Sequence, residues 1–142
     1  MNIGIIGSGD VAKALAKGFL QHGHQVMLGT REPAKLADWS KENPHGQIGT
    51  FAAAAKFGGL VVLAVKGSVA LAALRMAEAS NLAGKTVIDT TNPIDDAAPS
   101  NGVLKFFTNL DDDSVSTSAE WPSQASALTA AIQELSARMT PR

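Results

Sequence analysis

No cysteine occurs in the 142 residues. Disulfides, thiolate nucleophiles and cysteine-ligated zinc are excluded together. Charge is sparse and balanced: 12 basic against 13 acidic side chains leave a net charge of −1. Such a chain has no broad electrostatic pull toward nucleic acid or an anionic membrane, and neither partner is expected. Long apolar runs are also missing. The longest apolar region, residues 60–74, is broken by Lys66, Gly67 and Ser68, short of the roughly 20 residues a membrane-spanning helix needs. No basic stretch precedes the first apolar run, so a leader peptide is not expected. Together these absences lead to the expectation of a cytoplasmic protein. No internal repeat or low-complexity tract occurs. No His–carboxylate spacing points to a metal, and none is expected. Asp111-Asp112-Asp113 reads as a solvated acidic loop, and Ser114, Ser116, Thr117 and Ser118 have no His–Asp arrangement near them for nucleophilic catalysis.

What is present is an apolar fraction of 45% and a chain long enough for one sizeable core. Strand and helix patterns alternate. Residues 2–6 read as a buried strand. A helix follows from Asp10, with Val11, Leu15, Phe19 and Leu20 on its apolar face and Gly23 as its stop. Residues 25–28 form a second strand. Pro33 suits the first turn of a helix over residues 33–42, which ends before Asn43-Pro44. Residues 47–50 form a short third strand, and residues 51–57 a short Ala-rich helix. Residues 60–65, apolar without alternation, read as a strand buried on both faces. The spacing then predicts a helix over residues 68–81 and a strand over 85–89. The fold class is α/β: a Rossmann-type, doubly wound parallel sheet in a single domain. Beyond it, residues 109–118 read as an exposed connection. Residues 123–139 read as a last helix, with Leu128, Ile132, Leu135 and Met139 in one apolar stripe.

The first strand runs into Gly7-Ser8-Gly9-Asp10-Val11-Ala12, a G-x-G-x-x-A turn between strand and helix. That is the place of a dinucleotide-binding loop. Gly7 permits the tight turn, Gly9 lets the backbone approach a pyrophosphate, and Ala12 lets the helix pack close. Backbone N–H groups from Ser8 through Val11 would face the phosphates. Asp10, a carboxylate beside a pyrophosphate, is expected to point away as a helix cap. The second strand ends Leu28-Gly29-Thr30-Arg31, without the acid that holds a ribose 2′-hydroxyl in NAD sites. The Thr30 hydroxyl and the Arg31 fork suit a 2′-phosphate, with Lys35 adding positive charge and Glu32 turned outward. NADP is therefore expected over NAD. The later strand ends, Ala64-Val65-Lys66 and Thr90-Thr91-Asn92-Pro93, should line the nicotinamide side. Lys66 reads equally as a ribose or phosphate contact and as a solvated side chain. His22, His24 and His45 read as surface or cap residues. No proton donor stands out, and the catalytic residues are unassigned.

With these residues in view, the chain resembles the NADP oxidoreductase, coenzyme F420-dependent family, and within it the bacterial NADPH-dependent F420 reductase-like proteins. The matching stretches are Ile3-Gly-Ile-Ile-Gly-Ser-Gly9, Leu28-Gly-Thr-Arg31, Val61-Val-Leu-Ala-Val-Lys66, Lys85-Thr-Val-Ile-Asp-Thr-Thr-Asn-Pro93 and Asn101-Gly-Val-Leu-Lys-Phe-Phe-Thr108. The resemblance implies hydride transfer between NADPH and a small acceptor, a deazaflavin (coenzyme F420) or a flavin, and a tendency to form homodimers. Asp10 departs from the neutral residue often found there. The resemblance covers residues 1–112, an NADP-binding domain. Residues 113–142 do not resemble the family's usual carboxyl-terminal part, which helps build the acceptor site and the dimer, and they read as a divergent or truncated helical tail. Three readings follow: an NADP-dependent oxidoreductase, a non-catalytic NADP(H)-binding module, or a structural remnant that binds neither nucleotide.

Overall fold

The structure is a computed structural model describing residues 1–92 together with 94, 96, 97, 103 and 105. Five strands are hydrogen-bonded into one sheet: β1 (Asn2–Ile6), β2 (Gln25–Gly29), β3 (Gln47–Gly49), β4 (Leu60–Leu63) and β5 (Thr86–Asp89). All pairings are parallel and the order is β3-β2-β1-β4-β5. The register sets Ile3 of β1 against Val26 on one side and Leu60 on the other. The helices are α1 (Asp10–Gln21), α2 (Ala37–Glu42), α3 (Phe51–Phe57) and α4 (Ala70–Ala77).

Alternation along the central strands builds two cores, because successive side chains leave opposite faces of a strand. Ile3 and Ile5 of β1 and Val62 of β4 pack with Ala12, Ala16, Leu36 and Trp39. Ile6, Val61 and Leu63 pack with Phe51, Ala55, Ala73, Leu74 and Leu82 on the other face. Burial on both faces explains why β1 and β4 read as unbroken apolar runs. After β3 the chain crosses the sheet through α3 and sets β4 beside β1. The direction of winding reverses there, and a crevice opens at the carboxyl ends of β1 and β4.

Some elements differ from their sequence expectations, each for a local reason. The helix over residues 33–42 begins as a 3-10 turn, Pro33–Leu36, before α2. β4 stops at Leu63 rather than residue 65, because its ladder with β1 ends at Ile6 and its ladder with β5 at Asp89. The helix over residues 68–81 is three pieces: a 3-10 turn Gly67–Val69, α4, and a 3-10 turn Ala79–Asn81. The break is at Glu78, whose φ is +64°. Asn81 Nδ2 donates to the Ala77 carbonyl at 3.0 Å and closes the helix end there. Lys85 falls just outside β5. Its Nζ donates to the carbonyls of Ala55 (2.7 Å) and Lys56 (3.2 Å) at the end of α3, and burial lowers its pKa below the ordinary lysine value.

The connection over residues 109–118, the helix over 123–139 and the boundary at 112 lie outside the described residues. No helix among the described residues is long and apolar enough to cross a membrane. No group of three or more His, Asp or Glu side chains among them could hold a metal ion.

Candidate functional site

A crevice of about 680 Å³ lies over the carboxyl ends of β1, β2 and β4. Gly7, Ser8, Gly9, Asp10 and Val11 form its floor. Thr30, Arg31, Glu32 and Lys35 close one end, beyond β2. Ala64, Val65 and Lys66 follow β4, and Asn92 lies beyond β5. Of the residues expected to face the coenzyme, Pro93 lies outside the described residues and Thr91 does not line the crevice; the others meet there.

Gly7 and Gly9 are glycines for different reasons. Gly7 has φ +144°, and a Cβ there would run into the Ala64 carbonyl. Its N–H donates to Gly29 O at 3.1 Å, tying the loop to the end of β2. Gly7 is thus required by the fold. Gly9 has an ordinary backbone, φ −78° and ψ −175°. Among the described residues, no atom beyond its chain neighbours lies within 4 Å of where its Cβ would stand. The described fold does not require glycine at this position; a ligand pressed against the backbone would.

Gly9 is also the N-cap of α1, and no side chain caps that helix. The N–H groups of a first helical turn have no partner within the helix, so here they are left for whatever enters the crevice. At α3, by contrast, Thr50 Oγ1 accepts from Ala53 N at 3.1 Å. Asp10 is not the cap expected from sequence. It is the first residue of α1 and makes no capping bond, because the extended backbone that lets a cap reach back belongs to Gly9. The Asp10 side chain is exposed at the crevice wall.

At the adenosine end, the hydroxyl expected to face a ligand is turned inward. Thr30 is only 4% exposed. Its Oγ1 accepts from Glu32 N at 3.1 Å and donates to Ser8 Oγ at 3.2 Å. Arg31 is exposed at the rim, and no carboxylate pairs with it among the described residues. Lys35 does not bring a free charge: its Nζ sits 2.9 Å from Glu32 Oε1. Glu32, expected to turn outward, lines the crevice instead. The 3-10 geometry of Pro33–Leu36 explains both, since residues three apart are superposed on such a turn.

At the opposite end, Lys66 Nζ meets Asp96 Oδ1 at 3.3 Å, both side chains being exposed. A hydrogen bond from the Ser68 side chain, and then Lys66, hold the Asp96 carboxyl below the usual carboxylate range. Thr90 Oγ1 donates to Leu63 O at 2.9 Å and locks the end of β5 to β4. The histidines stay away: none lines the crevice, and His24 packs against Phe19 with the rings tilted by 50° and their centroids 6.2 Å apart.

Sequence reasoning missed the apolar wall. Phe51, Val69, Ala72, Ala73, Met76 and Ile94 line the crevice, as does Asp96. Val69, Ala72, Ala73 and Met76 recur at helical spacing directly after the β4 tip, a signal that could have located them. Asp96 had no such signal. The residues present fit a dinucleotide: among the described residues the Gly9 backbone is open, the start of α1 is uncapped, and the guanidinium at the β2 tip has no carboxylate partner.

Comparison with known proteins agrees with this geometry. The family model for "NADP oxidoreductase coenzyme F420-dependent" matches residues 2–93. A candidate F420-dependent NADP-reductase from Arthrobacter sp. FB24 is 33% identical over 90% of this chain, with a TM-score of 0.75. This chain spans 58% of that protein's length. A Streptomyces aurantiacus imine reductase (20% identity, TM-score 0.56, covering 64% of this chain and 32% of its own) shares the fold. So does a candidate oxidoreductase from Pseudomonas putida KT2440 (22% identity, TM-score 0.57, covering 64% of this chain and 31% of its own). No curated protein matches the chain.

Proposed function

The chain belongs to the NADP oxidoreductase, coenzyme F420-dependent family, and from that premise we propose that it binds NADP(H) in this crevice and transfers hydride between NADPH and a small acceptor of the deazaflavin or flavin class. The observation that carries the reading is Gly9. Its backbone faces open space that no part of the described fold needs, as a pyrophosphate-binding glycine must.

The chain's own residues would act by binding and positioning. The N–H groups at the start of α1 would hold the pyrophosphate, assisted by the helix dipole. Arg31 would pair with the 2′-phosphate through its two-pronged fork. Ala64, Val65 and Asn92, at the tips of β4 and β5, would face the nicotinamide. When bound, NADPH supplies the hydride chemistry itself. The protein's share is then to hold donor and acceptor carbons in line, which needs no acid or base. The apolar wall of Phe51, Val69 and Met76 would keep water from part of that volume.

The test is calorimetric titration with NADPH together with an NADPH oxidation assay using F420, flavin and ferric acceptors. Saturable binding with turnover on any of them is the expected result. Absence of NADPH binding overturns the reading. The alternative reading is a non-catalytic NADP(H)-binding module. Binding without turnover on every acceptor would select it. A homodimer in the cytoplasm completes the proposal, and sedimentation equilibrium at a single-chain mass would remove the dimer.

A further inference from the structure

Among the described residues one buried polar side chain stands out, that of Thr30. Its surroundings fix where its proton goes. The Glu32 backbone N–H can only donate, so Thr30 Oγ1 accepts it at 3.1 Å. The Thr30 proton then needs an acceptor of its own, since a buried O–H without one is costly. Ser8 Oγ, at 3.2 Å, provides it. With that lone pair engaged, the Ser8 hydroxyl still has a proton to donate. Ser8 is half-buried and lines the crevice, so the proton is free to face it. A directional chain results: Glu32 N–H to Thr30, Thr30 O–H to Ser8, and Ser8 O–H into the crevice. Each donor in such a chain polarises the next.

We infer that Thr30 is a positioning residue acting through Ser8, holding the Ser8 hydroxyl as a donor to a phosphate oxygen of the bound dinucleotide. The inference rests on the NADP(H) reading above. It differs from a direct contact between Thr30 and the coenzyme, which the inward-turned hydroxyl does not offer. It also gives the second residue of the G-x-G turn a side-chain role beside its backbone one. The Thr30 methyl group has no part in this chain, so a serine at position 30 should serve nearly as well and a valine should not.

The experiment is a mutant cycle on the intact chain, with NADPH dissociation constants from calorimetry and melting temperatures without coenzyme. Ser8→Ala should weaken NADPH binding about tenfold, the scale of one hydrogen bond to a charged acceptor. It should leave the free protein's melting temperature within about 2 °C, because little buried contact is lost. Thr30→Val should weaken binding by a similar factor, and the double variant no further than the worse single one, since residues acting as one unit are not additive. Thr30→Ser should bind within about threefold of the parent. Additive losses, a full loss in Thr30→Ser, or undiminished affinity in Ser8→Ala would each overturn the inference. If Thr30→Val does not fold, Ser8→Ala and Thr30→Ser decide between them. A parent protein that binds no NADPH would sink the reading of the whole site, an outcome distinct from additive variants in a parent that binds.

Discussion

Gly7 and Gly9 are two positions apart and answer to different demands, so the same substitution should separate fold from function. Gly7→Ala puts a Cβ against the Ala64 carbonyl at φ +144° and should destabilise the free protein by about 3 kcal/mol or more, read by urea unfolding. Gly9→Ala meets no atom of the described residues beyond its chain neighbours. Its unfolding free energy should stay within about 1 kcal/mol of the parent, while NADPH affinity falls at least about tenfold as the methyl group enters the ligand's space. Arg31→Ala should cost roughly tenfold to over a hundredfold in NADPH affinity, the scale of one or more charged hydrogen bonds, and leave NADH nearly unchanged. Equal losses for both coenzymes would make Arg31 a structural residue. At the far end of the crevice, the Asp96 carboxyl is held in its charged form first by Ser68 and then by Lys66. Such a group favours the folded state above its unfolded pKa and loses that contribution as pH falls through its lowered folded value. NMR titration should therefore place Asp96 below the ordinary aspartate midpoint, with Ser68→Ala and Lys66→Met each raising it. The place of Gly7, Gly9 and Arg31 at one crevice was legible from sequence, because glycine spacing and strand ends locate it. The partners of Thr30, Lys35 and Asp96 were not, since hydrogen bonds such as Thr30–Ser8 join residues far apart in the chain.

Among the elements, the strands were read most closely, because burial on both faces leaves an apolar run with little else to be. The helix after β4 was read as continuous because its composition is uniformly helix-forming through the break. Composition does not record that Glu78 adopts φ +64°, a conformation that costs a non-glycine residue about 1–3 kcal/mol. Glu78→Gly removes that strain, loses one exposed contact to Asn81 and adds chain entropy to the unfolded state. The net expectation is a stabilisation of up to about 1 kcal/mol, seen as a higher urea midpoint with unchanged slope. A lower midpoint would mean that the contact of Glu78 with Asn81 outweighs the backbone strain. The same break ends α4 near Met76, so the helix presents one apolar stripe to the crevice and stops.

For the molecule as a whole, the strand order is what makes a site. Placing β4 beside β1 rather than beside β3 opens the crevice between the loops that follow β1 and β4. A ligand that bridges those loops binds the folded state alone, so it must raise the unfolding free energy, by about 2.7 kcal/mol at a hundredfold excess over its dissociation constant. NADPH should therefore raise the melting temperature by several degrees, and NADH by clearly less at equal concentration. Equal shifts would remove the preference for the phosphorylated coenzyme at the level of the whole protein, whatever single variants report.

The sequence by itself determined the α/β class, the place of the dinucleotide loop and the absence of an acid at the tip of β2. These follow from hydrophobic period, glycine spacing and residue type, which are local properties of a chain. Only the tertiary structure decided that Thr30 faces Ser8, that Glu32 neutralises Lys35, that Gly9 faces open space and that α4 lines the crevice. Each of those depends on which elements lie side by side once β4 has crossed to β1. Pairwise distances of a few ångströms between residues far apart in the chain are set by packing, and no local pattern encodes them.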